Sequence, residues 1–151
     1  MCNVIRKGVF CMNAIVYSCS NEYAYLAGIS LLSCLENNTK LDDVCVFILD
    51  NNICDENKLK LTSIAKKYKI SLTFINMSLF IQEISKNGMV KGHMSSSGLS
   101  YATYSRLFID ELLPDNIVRV IYIDCDTLVV GNIGPLFSMD MKTKSIVMAC
   151  D

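Results

Sequence analysis

The residues best placed to do chemistry are two carboxylates, Asp124 and Asp126, in the stretch RVIYIDCDTLVVGN from Arg119 to Asn132. Val120, Ile121, Tyr122 and Ile123 lead into them without polar alternation, as in a strand buried on both faces of a parallel sheet. The pair therefore falls where a strand ends, and ligands of open α/β sheets gather beyond the carboxyl ends of the strands. Residues i and i+2 of an extended chain point the same way, so the two carboxylates are expected to converge. Converging carboxylates repel unless a proton or cation lies between them, and hard divalent ions take one or two carboxylates and complete their shell with phosphate oxygens. That is metal and phosphate chemistry. A single Asp-x-Asp triplet is weak evidence, since a chain of 151 residues holds on the order of 0.4 by chance. Its position after an apolar strand is what favours a site over a solvated turn, because uncompensated charges buried there would be costly.

A cation could contribute from upstream. Ser100 to Leu113, SYATYSRLFIDELL, has helical apolar spacing and is ended by Pro114; Arg106 stands among its apolar residues. An arginine there is either held by an anion or pairs with Asp110 four residues on, and the sequence leaves both open. The single histidine, His93, excludes a His-rich metal centre. Of the eight cysteines none forms a Cys-x-x-Cys pair, and Cys19, Cys34, Cys45 and Cys150 lie in apolar segments, so they read as reduced core thiols.

The elements that must position these groups alternate. Asn13 to Cys19 reads as a buried strand, and Ser20-Asn21 offers capping side chains before an apolar-striped helix from Glu22 to Leu35. Asn37-Asn38-Thr39 closes that helix. Val44 to Leu49 is a second strand running into Asp50, Asp55 is expected to cap a helix through Tyr68, and Ser71 to Ile75 is a third strand. The lysines at 58, 60, 66, 67 and 69 read as that helix's solvated surface. A β-α-β-α-β order demands right-handed crossovers and a largely parallel sheet. Asn76 to Ser100 reads as a long loop rich in glycine and serine, and Ser145 to Cys150 as a final strand with Asp151 at its end.

Length and composition fit one domain or a piece of one, with residues 1 to 11 as an extension and 12 to 151 as the domain. The net charge of -1 gives no basic surface for nucleic acid. No apolar run reaches the roughly 18 residues of a membrane span, and the N-terminus lacks a secretory apolar segment, so a cytoplasmic location is expected.

Taken together, the SNEY turn after the first strand, YATYSRLFIDELLP, RVIYIDCDTLVVGNIGPLF and the closing MACD resemble glycosyltransferase family 8, which includes glycogenin and the lipopolysaccharide galactosyl- and glucosyltransferases. The resemblance implies a GT-A type fold, a Rossmann-like mostly parallel sheet flanked by helices, here apparently truncated at the C-terminus. It implies transfer of a hexose from UDP-glucose or UDP-galactose to a saccharide or glycolipid acceptor, with retention and with Mn²⁺ (or Mg²⁺). Asp124 and Asp126 match the family's metal-binding pair, with Cys125 between them in the nucleotide site. Arg106 matches the arginine facing the donor diphosphate. Tyr17, Ser18 and Ser20 fall where the family contacts the uracil nucleotide, and Asp151 matches an acid near the transferred sugar. Ser20 stands where many members carry an acid, and no residue matches the family's third metal ligand, a histidine.

Two other readings compete. Asp124-Cys125-Asp126-Thr127 after an apolar strand also looks like the nucleophile motif of haloacid-dehalogenase-type phosphatases, although that motif normally opens its domain and leaves Arg106 unexplained. The chain could instead bind a UDP-sugar and metal without completing transfer. A strand ending near Cys150 would leave apolar surface, so a longer parent protein or a homo-oligomer is expected.

Overall fold

A computed structural model describes residues 13–41, 43–78, 80, 82 and 105–148. Four strands form one sheet: β1 (Asn13–Ser20), β2 (Val44–Asn51), β3 (Ser71–Asn76) and β4 (Arg119–Tyr122), in the order β3-β2-β1-β4. Every neighbouring pair is parallel. Helix α1 (Ala24–Asn37) and helix α2 (Asp55–Lys67) make the crossovers between the first three strands. The chain winds outward from β1 through β2 to β3, then returns to place β4 on the other side of β1. That reversal makes the crevice between the ends of β1 and β4 the sheet's topological switch point.

Six consecutive residues of β1 are buried, as are the first seven of β2, which is why neither shows polar alternation. Side chains still divide by parity. Ile15, Tyr17 and Cys19 join Val44, Val46 and Ile48 against Ala27, Leu31 and Leu35 of α1 and Leu61 of α2. Ala14 and Val16 join Cys45, Phe47 and Leu49 on the opposite face, with Met77 and Leu113. Cys34 is buried in the first of these cores, where loss of water pushes its thiol up to about 11.

Several expectations are corrected. Ser20 makes no capping bond to the 3₁₀ turn Asn21–Tyr23 that precedes α1. The side chain of Asn21 instead serves α2: its Oδ1 accepts from Cys54 N and from Asn57 Nδ2, both at 3.0 Å. Cys54, not Asp55, occupies the position before α2, without a side-chain capping bond, and Asp55 lies in the first turn, where its charge suits the helix dipole. Lys58 is no free surface lysine; its Nζ lies 2.6 Å from the carboxylate of Asp50. In the described part of the predicted 100–113 helix, a 3₁₀ turn, Arg106–Phe108, joins the short helix α3 (Ile109–Leu112) through a non-helical Phe108, φ -117 and ψ 19. Ser145 to Met148 is irregular rather than a strand, with Ile146, Val147 and Met148 exposed, and among the described residues no strand pairs with it. The remainder of that expected strand, Asp151 and His93 lie outside the described residues.

Candidate functional site at the β1–β4 crevice

The acidic pair sits one step beyond β4. Ile123 N donates to Val16 O at 3.0 Å, continuing the pairing with β1, and the chain then turns: Thr127 N and Oγ1 donate to Asp124 O at 3.2 and 2.8 Å. Asp124 and Asp126 are thus on a turn, not an extended strand, which corrects the reason given for their convergence. Both remain exposed, whereas Cys125 between them is buried. Its Sγ donates to Ser18 O at 3.1 Å, so the turn is tied to β1 from beneath. The Cys125 and Cys19 thiols also meet there; hydrogen bonding to Cys125, with burial, pushes the Cys19 thiol well up.

From the other side α1 holds the chain that leaves the turn. Ser33 Oγ accepts from Val129 N at 3.1 Å, Asn37 Nδ2 donates to Val129 O at 2.9 Å, and Asn38 Nδ2 donates to Gly131 O at 3.1 Å. Asn38 Oδ1 accepts from Ile133 N at 2.8 Å, just before helix α4 (Gly134–Phe137). The asparagines that close α1 in sequence therefore clamp the acidic turn in space.

Arg106 completes the group. Its guanidinium lies 3.5 Å from Asp124 Oδ1 and 5.0 Å from the centre of the Tyr122 ring. This decides against Asp110 as its ion-pair partner among the described residues. With Arg106 41% and Asp124 49% exposed, the pair is worth at most about 1 kcal/mol, so a stronger anion can take the arginine from it. The Tyr122 hydroxyl is raised, chiefly by burial, with Arg106 opposing. Among the described residues the crevice thus brings together Arg106, two exposed carboxylates and the end of β1.

The sequence profile of glycosyl transferase family 8 matches residues 14–151. The chain belongs to glycosyl transferase family 8. General stress protein A of Bacillus subtilis (strain 168) is 30% identical over 138 residues, covering 90% of this chain and 46% of that protein. A putative glycosyltransferase of Haemophilus influenzae is 28% identical over 136 residues, covering 90% of this chain and 38% of that protein. The chain therefore spans less than half the length of these relatives. In structure it is similar to the galactosyltransferase LgtC in complex with donor and acceptor sugar analogs, with a TM-score of 0.68 at 21% identity over 85% of this chain and 43% of that one. That likeness gives the GT-A fold, of which this chain carries part.

Within this family 8 chain, the residues singled out by sequence separate into two sets. Ser18 and Ser20 lie at the end of β1, and Asp124 and Asp126 on the turn after β4, where Arg106 meets Asp124. Tyr17 does not face it: the side chain is fully buried against α1, where Ser30 Oγ donates to its hydroxyl at 3.4 Å, and burial raises that hydroxyl. Cys125 also points inward, so both residues can meet a ligand only through backbone. Sequence reasoning missed Ser105, Asn51 and Tyr122. Their signals were adjacency to Arg106, position at the end of β2, and position two residues before Asp124.

Two exposed carboxylates on one turn form a hard-donor set that fits a divalent cation sharing phosphate oxygens. Among the described residues no cluster of three His, Cys, Asp or Glu side chains forms a closed metal site. No described helix is long and apolar enough to cross a membrane.

Proposed function

We propose that this chain is the donor-binding part of a retaining hexosyltransferase that uses a UDP-sugar, UDP-glucose or UDP-galactose, together with Mn²⁺ or Mg²⁺. The observation that carries the reading is the meeting of Arg106 with Asp124, on the turn that also carries exposed Asp126, at the switch point between β1 and β4 in a family 8 chain. Asp124 and Asp126 are the residues that would hold the cation. When bound, such an ion supplies Lewis-acid stabilisation of charge developing on the departing diphosphate.

The chain's own residues do the rest. Arg106 presents several N–H donors in a planar fork, suited to phosphate oxygens, and its weak pairing with Asp124 keeps it near the place where leaving-group charge grows. Ser20, whose hydroxyl is not spent on capping, and the backbone at the end of β1 receive the uracil nucleotide. Asp151 is the candidate for orienting the transferred sugar. No residue is assigned as a nucleophile. The parent protein passes the sugar to a saccharide or glycolipid, as in lipopolysaccharide assembly, in the cytoplasm. The strongly exposed Val130, Ile146 and Met148 support further covering of this surface by more chain or by a second copy.

Calorimetric titration of UDP into the purified chain, with Mn²⁺ and then with EDTA, tests the reading. Saturable binding that disappears with EDTA is the expected result. Binding of equal strength in both conditions would remove the metal from the site, and hydrolysis of a generic phosphoester without UDP binding would favour the phosphatase reading instead.

A further inference from the structure

Arg106 opens a 3₁₀ turn of three residues that follows the helical residue Ser105, and Ser105 is held from across the sheet. Ser105 is 3% exposed, and its Oγ lies 2.6 Å from Ser18 Oγ, 87 positions earlier in the chain. Ser18 Oγ also accepts from Asn51 Nδ2 at 3.2 Å. The same Nδ2 donates to Leu49 O at 3.1 Å, which sets the amide's orientation, since the reverse would place two acceptors together. Either hydroxyl can donate in the Ser18–Ser105 bond. Asn51 Oδ1 is shielded from solvent and has no hydrogen-bond partner.

Polar groups in such a position are unfavourable unless bonded, and apolar side chains would fill the space without that penalty. Stability alone therefore does not account for this set, whose hydroxyls are bonded but whose amide keeps an unused acceptor among the described residues. Their placement does: Ser18 is on β1, Asn51 at the end of β2, and Ser105 is bonded through one peptide link to the arginine that meets Asp124. Ile109, Leu112 and Leu113 after the arginine turn pack into the core of Ala14 and Val16, and this network adds a polar link from the strand ends to the turn itself.

We propose that Ser18 and Ser105, steadied by Asn51, are positioning residues that set the Arg106 turn so that its guanidinium meets the donor diphosphate. The inference rests on the reading of Arg106 given under Proposed function. It assigns the Ser18 side chain to the arginine rather than to the uracil base. It also makes a specific demand: the network acts on recognition of the second phosphate and not on recognition of the nucleoside.

The test compares UDP with UMP, titrated calorimetrically in Mn²⁺ into the unaltered chain, Ser105→Ala, Ser18→Ala, Arg106→Ala and Ser105→Ala with Arg106→Ala. Ser105→Ala and Ser18→Ala are expected to weaken UDP about three- to tenfold and leave UMP unchanged. Arg106→Ala is expected to lower the UDP preference further, and adding Ser105→Ala to it is expected to change nothing more. A merely structural role would weaken both nucleotides alike, and that result overturns the inference, as does an unchanged UDP affinity in both serine variants beside a weakened Arg106→Ala. Should one serine variant fail to fold, Ser18→Ala with Ser105→Ala removes both partners and leaves neither hydroxyl stranded. An unchanged UDP affinity in Arg106→Ala overturns the donor-site reading itself, and this inference with it.

Discussion

Asp50 and Asp124 each close the apolar run of a parallel strand, and their surroundings give them opposite roles. Asp50 is 3% exposed; one carboxylate oxygen accepts from Ile53 N at 2.7 Å and the other meets Lys58 Nζ at 2.6 Å. Its charge is spent on holding the start of α2 against β2. Asp124 is 49% exposed, and the arginine beside it stands at 3.5 Å. Its charge remains available to a ligand. An acid at a strand end is therefore not a site in itself; the deciding feature is whether local backbone and side chains have already satisfied it.

The largest expected effect tests the structural half of this contrast. Asp50→Ala leaves Lys58 and Ile53 N without their acceptor and should destabilise the chain by about 3 kcal/mol in urea unfolding. UDP affinity of the remaining folded fraction should hold. If affinity falls tenfold while stability is unaffected, the assignment of the two acids is reversed.

Buried ionisable groups should also set the alkaline limit of stability. Cys34 titrates near pH 9 when unfolded but at about 11 when folded, so the folded state keeps its proton longer. The sign follows: this contribution is present below about pH 9 and is lost as pH rises towards 11, amounting to roughly 2 kcal/mol. Urea midpoints measured across that range should fall, and Cys34→Ala should flatten the slope without changing UDP affinity at neutral pH.

For the exposed half of the contrast, Asp124→Asn should weaken UDP in Mn²⁺ by at least about tenfold, or about 1.4 kcal/mol, with a urea midpoint close to that of the unaltered chain. Equal UDP affinities with and without the substitution would leave Asp124 a solvated turn residue. The smallest effect lies away from both acids. An added Cβ at Gly28 of α1 would meet Ile64 Cδ1 at 3.6 Å and Leu61 Cδ2 at 3.8 Å, ordinary contacts. Gly28→Ala should therefore stabilise by about 0.5–1 kcal/mol through the unfolded chain's lost freedom. A loss of stability there would show that α1 and α2 pack more tightly than these distances indicate.

Much of the scaffold was legible because burial on both faces leaves a plain mark: unbroken apolar runs predicted β1 and β2 to within a residue or two. The run at β4 predicted the strand but not its burial, since Val120 is exposed and its neighbours are only half-buried. Short-range polar signals were less faithful. Asn21 looks like a cap for the helix it flanks yet serves α2, and Asn38, which does donate to Cys34 O at the end of its own helix, also holds the segment after the acidic turn, because an amide bonds whatever the fold brings within reach. The predicted strand at Ser145 failed over its described part for a related reason, since an apolar run becomes a strand only beside another strand.

The sequence by itself determined the alternation of strands and helices, the acidic pair after an apolar strand, and the family. These depend on residue type and order, which periodicity and motif register directly. The tertiary structure decided that Asp50 is consumed and Asp124 available, that Tyr17 and Cys125 turn into the core, and that Ser105 bonds Ser18 beneath the arginine. Each of these depends on contacts between segments remote in the chain, and the free energy of a buried polar group is set by its neighbours in space.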